Sequence, residues 1–172
     1  MRPDVLVERL ARARIGATYN QYARSELRRG RLHEHLVQRE HAELLLVGEA
    51  AGYRGARISG VPFTSERQLT GSGPAEATAT IVHRVLRELG IENDVLLWNV
   101  VPTHPGTATS NRLPTRAEVR AARPFLDELA CGRRVVAVGR LAADVLDAPY
   151  VRHPSHGGAR AFADGLRRTL GR

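Results

Sequence analysis

The sequence predicts an α/β fold: a three-layer α/β/α sandwich around a parallel sheet of about four strands. Three observations predict it. The segments "AELLLVG", "DVLLWNVV" and "RRVVAVG" are short apolar runs that end near glycine or a loop, the pattern of strands buried on both faces. Segments with helical spacing of apolar residues lie between them. An alternation of strand and helix calls for crossover connections, which make neighbouring strands parallel.

Each element has its own signal. In "RPDVLVERLARA", Pro3 and Asp4 precede Val5, Leu6 and Leu10, which predicts a first helix. "SELRRGRLHEHLVQREH" predicts a second, with Gly30 as its weak point. The first strand is Ala42 to Gly48, and a polar, glycine-rich stretch follows it to Gly73. "PAEATATIVHRVLRELG" opens on Pro74 and closes on Gly90, with Ile81, Val82, Val85 and Leu89 on one face, and predicts a helix. "DVLLWNVV" is the second strand and "PTHPGTATSNRLP" a loop. Thr115 with Glu118 forms a capping-box pattern for "TRAEVRAARPFLDELA", in which Pro124 is expected to kink or split the helix. "RRVVAVG" is the third strand, "RLAADVLD" a short helix, "PYVRH" a fourth strand and "GGARAFADGLRRTL" a closing helix. A chain of 172 residues predicts one domain over 1–172, with residues 1–40 as helices packed on it.

Composition narrows the chemistry. Cys131 is the single cysteine, so neither a disulfide framework nor a four-cysteine metal or iron–sulfur site forms within the chain. All 26 basic residues are arginine. The missing lysine excludes a Walker A phosphate loop and a lysine Schiff base. The N-terminus is charged, with no secretory apolar core, and no apolar run reaches membrane-spanning length. A cytoplasmic protein with no membrane partner is expected. The net charge of +8 suggests an acidic partner, nucleic acid being the commonest, although arginine alone also fits a codon bias.

In parallel α/β sheets, ligands bind beyond the C-terminal strand ends. After the first strand, "GEAAGYRGARISGVPFTSE" holds four glycines in thirteen residues, Gly48 to Gly60, enough for backbone N–H groups to converge on a ligand. The spacing is not that of the dinucleotide fingerprint. Glu49 would orient a water or pair with an arginine. Phe63, between Pro62 and Thr64, is a core residue or a stacking platform. In the second strand Asn99 interrupts an apolar run; its amide would read the edge of a base or pin a loop. After the fourth strand comes "HPSHGG", His153 to Gly158, a turn that is either structural or catalytic. It is not the nucleophile elbow of a serine hydrolase, because His153 stands where that motif needs glycine. His104, His153 and His156 match no strong metal-ligand spacing.

Together these stretches resemble the uracil-DNA glycosylase superfamily. "GEAAGYRGARISGVPFTSE" looks like its first motif, near the form GEAPG; "LLWNVVPTHPG" with "SNRLPT" looks like its middle strand and loop; "HPSHGG" looks like its second motif, H-P-S. The resemblance implies a DNA repair glycosylase that flips uracil from DNA and hydrolyses its glycosidic bond, with no metal and no cofactor. It implies that Phe63 stacks on uracil and that Asn99 pairs with its O4 and N3 edge. Gly48 and Ala50 belong to the same substrate pocket, and Tyr53 or Gly52 walls off C5 against thymine. Backbone N–H groups near Glu49 and Ala50, with His153, hold the charge that develops on O2. Ser155, His156 and Gly157 form a loop pressed into the minor groove, and Arg152 and Arg160 beside it contact phosphates. The best-known branch has aspartate at the position of Ala50, so Glu49 is the candidate to position water. Ala51 replaces the proline of GEAPG, and the branch with that motif carries four iron–sulfur cysteines, which assigns this chain to another subgroup. The expected partner is uracil-containing DNA, single- or double-stranded, bound by a monomer. Other readings are a glycosylase for hypoxanthine or 5-substituted uracil, a DNA-binding member that does not cleave, and a hydrolase of free nucleosides.

Overall fold

The computed structural model describes residues 1–171. Its centre is a sheet of four parallel strands: β1 (Leu44–Ala50), β2 (Val95–Val101), β3 (Arg134–Val138) and β4 (Tyr150–Val151), in spatial order β2-β1-β3-β4. The chain steps from β1 out to β2, then crosses back over β1 to β3. That reversal opens a crevice at the C-terminal ends of β1 and β3, where such sheets bind ligands.

Alternate strand residues face opposite layers. Leu45 and Val47 of β1, Leu96 and Trp98 of β2 and Ala137 of β3 join one buried cluster. Four helices close that side: α1 (Pro3–Arg12), α2 (Glu26–Gln38), α6 (Arg116–Ala130) and α7 (Arg140–Val145). Leu44, Leu46, Leu97, Val136 and Val151 join a second cluster with α5 (Ala77–Glu88) and α8 (Ala159–Leu170). Both faces are covered, which is why the strands read as continuous apolar runs.

The N-terminal helices belong to this core. Leu6, Val7 and Leu10 of α1 and Leu32 and Leu36 of α2 are buried in the first cluster. The Ser25 side chain accepts from the backbone N–H of Arg28 and starts α2, which runs through Gly30 without interruption. His35 of α2 lies 3.1 Å from the Leu97 carbonyl through Nε2. β2 is an edge strand, so this contact covers a carbonyl that no neighbouring strand pairs. Burial pushes His35 down to about 4, which leaves the ring neutral with its Nε2–H donating.

Several elements differ from expectation. β1 continues through Glu49 to Ala50, because Ala50 still pairs with β2, opposite Val101. The glycine-rich stretch holds two short helices, α3 (Ala56–Ser59) and α4 (Glu66–Thr70), each ended by a glycine with left-handed backbone. α6 runs through Pro124, and its Thr115–Glu118 capping box forms as the sequence predicts.

Candidate active site

A cavity of about 620 Å³ lies over the C-terminal ends of the strands. Glu49 and Ala50 reach it from β1, Asn99 from β2, Gly139 from the end of β3, and His153, Ser155 and His156 from the loop after β4. Phe63 reaches it from the loop between α3 and α4.

The floor is built from three residues that fit only one another. Gly48 and Asn99 are paired neighbours on β1 and β2. A Cβ on Gly48 would run into the Phe63 ring and stand 2.9 Å from Asn99 Oδ1, so only glycine lets the ring and the amide meet. Phe63 is held with φ of +53°, a left-handed conformation that costs a side-chain-bearing residue roughly 1–2 kcal/mol. The buried Ser59 hydroxyl holds that turn: it donates to the Thr64 carbonyl at 2.6 Å and accepts from the Val61 N–H at 3.1 Å. Asn99 is 4% exposed, and its amide bonds no protein group among the described residues. It therefore pins no loop. A buried amide facing a cavity with two donors and an acceptor unspent is free to bond a ligand.

The state of the His153 ring is set by its neighbours. His153 Nδ1 accepts the backbone N–H of Ser155 at 3.2 Å and lies 2.8 Å from the Ser155 hydroxyl. Nδ1 is therefore an acceptor, and the neutral ring carries its proton on Nε2. Burial, helped by the nearby His156, pulls the ring's pKa below its usual value, so this neutral donor form prevails at pH 7. The same turn holds His156 in a left-handed conformation, φ of +52°.

Glu49 is half-buried and makes no ion pair or side-chain hydrogen bond with a described residue. Burial raises its pKa. Tyr53 does not line the cavity, whereas Gly52 does. Among the expected DNA contacts, Ser155 and His156 lie at the mouth, and Arg152 and Gly157 are exposed beside it. The Arg160 side chain is 95% exposed, with its nearest ion-pair partner, Asp164, 3.7 Å away.

Several site residues carry no clear signal in the sequence. Glu76, Thr78, Asn111, Arg112, Leu113, Arg140 and Asp144 all line the cavity. Asn111 Oδ1 accepts the Tyr53 N–H at 2.9 Å, and the buried His104 ring lies 2.7 Å from both the Ala51 and the Thr107 carbonyl. These contacts tie the loop after β1 to the loop after β2. Glu118 anchors the second loop: it takes both Arg112 amino groups at 2.8 and 2.6 Å and the Thr115 N–H at 2.8 Å. It also accepts the Ala17 N–H at 3.2 Å. The Arg112 guanidinium holds the Glu118 carboxyl down at about 2. Glu76 is hidden in the sequence because Pro74 looks like a helix start; the helix begins at Ala77, and Glu76 is left at its mouth.

Comparison with known proteins gives the family. The family model of the uracil DNA glycosylase superfamily matches residues 35–167. The chain belongs to that superfamily. It is accordingly a DNA glycosylase, a hydrolase of base-excision repair with DNA as its substrate. A similar solved structure is the crystal structure of wild-type SMUG2 from Pedobacter heparinus. It has a TM-score of 0.73 and 13% identity over 98% of this chain and 96% of that one, a likeness of fold. No protein of curated function matches the chain. No helix among the described residues is long and apolar enough to cross a membrane.

Proposed function

We propose that the protein flips uracil out of DNA and hydrolyses the bond between N1 and C1′, leaving an intact strand with an abasic site. The observation that carries this reading is the meeting of Phe63, the unpartnered Asn99 amide and the Nε2–H of His153 in one cavity. Phe63 offers a ring face for stacking. The Asn99 amide donates to O4 and accepts from N3–H; cytosine presents the reverse pattern and is refused. As the glycosidic bond breaks, the electron pair goes to the base and charge grows on O2. His153 donates to that oxygen from Nε2, and backbone N–H groups near Glu49 and Ala50 add to the stabilisation. Water attacks C1′, and its proton passes to Glu49, whose burial makes it a stronger base than an ordinary carboxylate. Alanine at position 50 leaves Glu49 as the nearest acid on β1 for this task.

With no lysine in the chain, a Schiff base with the abasic sugar has no side-chain amine to form on, and the enzyme is monofunctional. Arg152 and Arg160 beside the Ser155–Gly157 turn supply positive charge for the phosphates, and the turn itself enters the minor groove. The test is a glycosylase assay on single-stranded and duplex oligonucleotides carrying one uracil. Strand scission at that position only after alkali, abolished in His153→Ala and Asn99→Ala, is the expected result. Tight DNA binding with no alkali-labile site would overturn it.

A further inference from the structure

Thr64, His83 and Glu92 form a hydrogen-bonded chain that the proposed reaction leaves unused. The Thr64 hydroxyl lies 3.1 Å from His83 Nε2, and His83 Nδ1 lies 2.9 Å from Glu92 Oε1. His83 comes from α5 and Glu92 from the loop that follows it. Hydroxyl, imidazole and carboxylate in this order are the parts of an activated nucleophile. Burial decides against that use: Thr64 is 4% exposed and does not line the cavity, so its hydroxyl is shut off from a ligand. The inner end of the chain points elsewhere. The same Thr64 hydroxyl lies 3.1 Å from the Pro62 carbonyl, on the N-terminal side of Phe63.

Phe63 has left-handed backbone, φ of +53°, and strain of that kind persists only where the surroundings fix it. The carbonyls on both sides of Phe63 each meet a buried hydroxyl: that of Thr64 takes the Ser59 hydroxyl at 2.6 Å, and that of Pro62 faces the Thr64 hydroxyl. Ser59 ends α3, in the same stretch of chain, so its bond ties the turn only to itself. His83 ties the turn to α5, whose Val82, Val85 and Leu86 are buried in one cluster with Phe63. The outer end of the chain is held by charge: Arg87 of α5 lies 3.6 Å from the Glu92 carboxylate oxygen that meets His83. We propose that His83 is a positioning residue for the stacking ring: held by Glu92, it fixes the Thr64 hydroxyl and, through it, the turn that presents Phe63 to the base. This inference rests on the reading of Phe63 as the ring that stacks on a flipped base. Linked hydrogen bonds polarise one another, so loss of any one link loosens the rest.

The experiment uses the whole protein and measures single-turnover excision of uracil from a duplex at saturating enzyme, with DNA affinity and thermal melting read for each variant. Thr64→Val and His83→Phe break the chain at successive links. Each should lower the saturated rate about 10-fold, the scale of one lost hydrogen bond, and leave DNA affinity near the parent's. The double variant should be no slower than either single one, because the second change removes a link already broken. Thr64→Ser keeps the hydroxyl and should restore the parent's rate. A merely structural role would lower the melting temperature and leave the saturated rate of the folded protein unchanged. Should either variant fail to fold, Glu92→Ala breaks the chain from its partly exposed end, and a slower saturated rate is again expected. Parent-like saturated rates in the folded variants, or losses that multiply in the double variant, would overturn the role of His83 while leaving the glycosylase reading standing. A parent protein that excises no uracil would overturn that reading and this inference with it.

Discussion

Phe63 and Asn99 on the pocket floor are 7% and 4% exposed, while the Arg160 side chain at the rim is 95% exposed. The floor is locked by packing: Gly48 has no room for a methyl group, and the Ser59 hydroxyl holds the turn that presents Phe63. The rim is a solvated turn with exposed arginines around it. Under the proposed function, the difference follows from what each has to recognise. A flat base is read through stacking and directed hydrogen bonds, which require fixed geometry. A phosphate backbone is read mainly through charge, which tolerates motion and weakens with salt.

Substitutions should therefore separate the two regions by kind of effect as well as by size. The largest belongs to His153. Removing a single preorganised donor to a developing oxyanion costs roughly 100- to 1,000-fold in rate, and His153→Ala should lose that much in kcat. Because the ring's pKa lies below its usual value of 6.5, kcat should stay level from pH 7 down to about that value. It should fall only further down, as Nδ1 gains a proton and loses the Ser155 N–H. A His153 ring that titrates between pH 7.5 and 6.5, followed by NMR, would contradict the neutral donor.

Next is Gly48→Ala, which forces Phe63 or Asn99 to move. A shift of about 1 Å in a positioning group costs on the order of 100-fold, so single-turnover rates should fall by that amount while DNA affinity changes little. Glu118→Gln acts on the support beneath the site. It leaves Arg112 short of its partner and should destabilise the fold by roughly 2–3 kcal/mol, read as a lower denaturant midpoint. The sign with pH is set by the depressed carboxyl: its folded value of about 2 lies below its ordinary 4.5, so its contribution is full above pH 4.5. That contribution drains away as the pH falls towards 2, and the Glu118→Gln protein should show less of this acid sensitivity. The smallest effects belong to the rim. Arg152→Ala or Arg160→Ala should weaken DNA binding a few-fold and reduce the salt slope by about 1 for each phosphate that is no longer neutralised, with base preference unaltered.

Much of this is legible in the sequence, and the parts that are not have physical reasons. The strands can be read because a sheet covered on both faces demands unbroken apolar runs, and Leu44–Val47 and Val95–Trp98 supply them. Their ends can then be searched for chemistry, which leads to Glu49, Asn99 and His153. The end of β1 is harder to place because Glu49 and Ala50 look like loop residues, and the pairing of Ala50 with Val101 of β2 is what extends the strand. Pro124 signals a break that does not occur. Its missing N–H costs one hydrogen bond, and burial of Ala122, Phe125 and Leu126 on both sides of it outweighs that loss. Glu76 is illegible because the space it occupies is left by Gly52 and Gly55, about 20 residues away. Neither their spacing nor its own helix-start position shows that a carboxyl and two bare backbone positions share one space. Arg112 and Glu118 are hidden in the same way: the capping box is readable, but Glu118's second task of holding Arg112 and Ala17 is tertiary.

The most direct measurement is the single-turnover rate of uracil excision as enzyme concentration is raised to saturation, for the parent protein, Asn99→Ala and Arg160→Ala. If the floor reads the base and the rim holds the strand, the Asn99→Ala rate at saturation stays about 100-fold or more below the parent. The Arg160→Ala rate should climb back to the parent's once enough enzyme is present. Two variants that both recover at saturation, or an Arg160→Ala protein that stays as slow as Asn99→Ala, would contradict the division of labour between floor and rim.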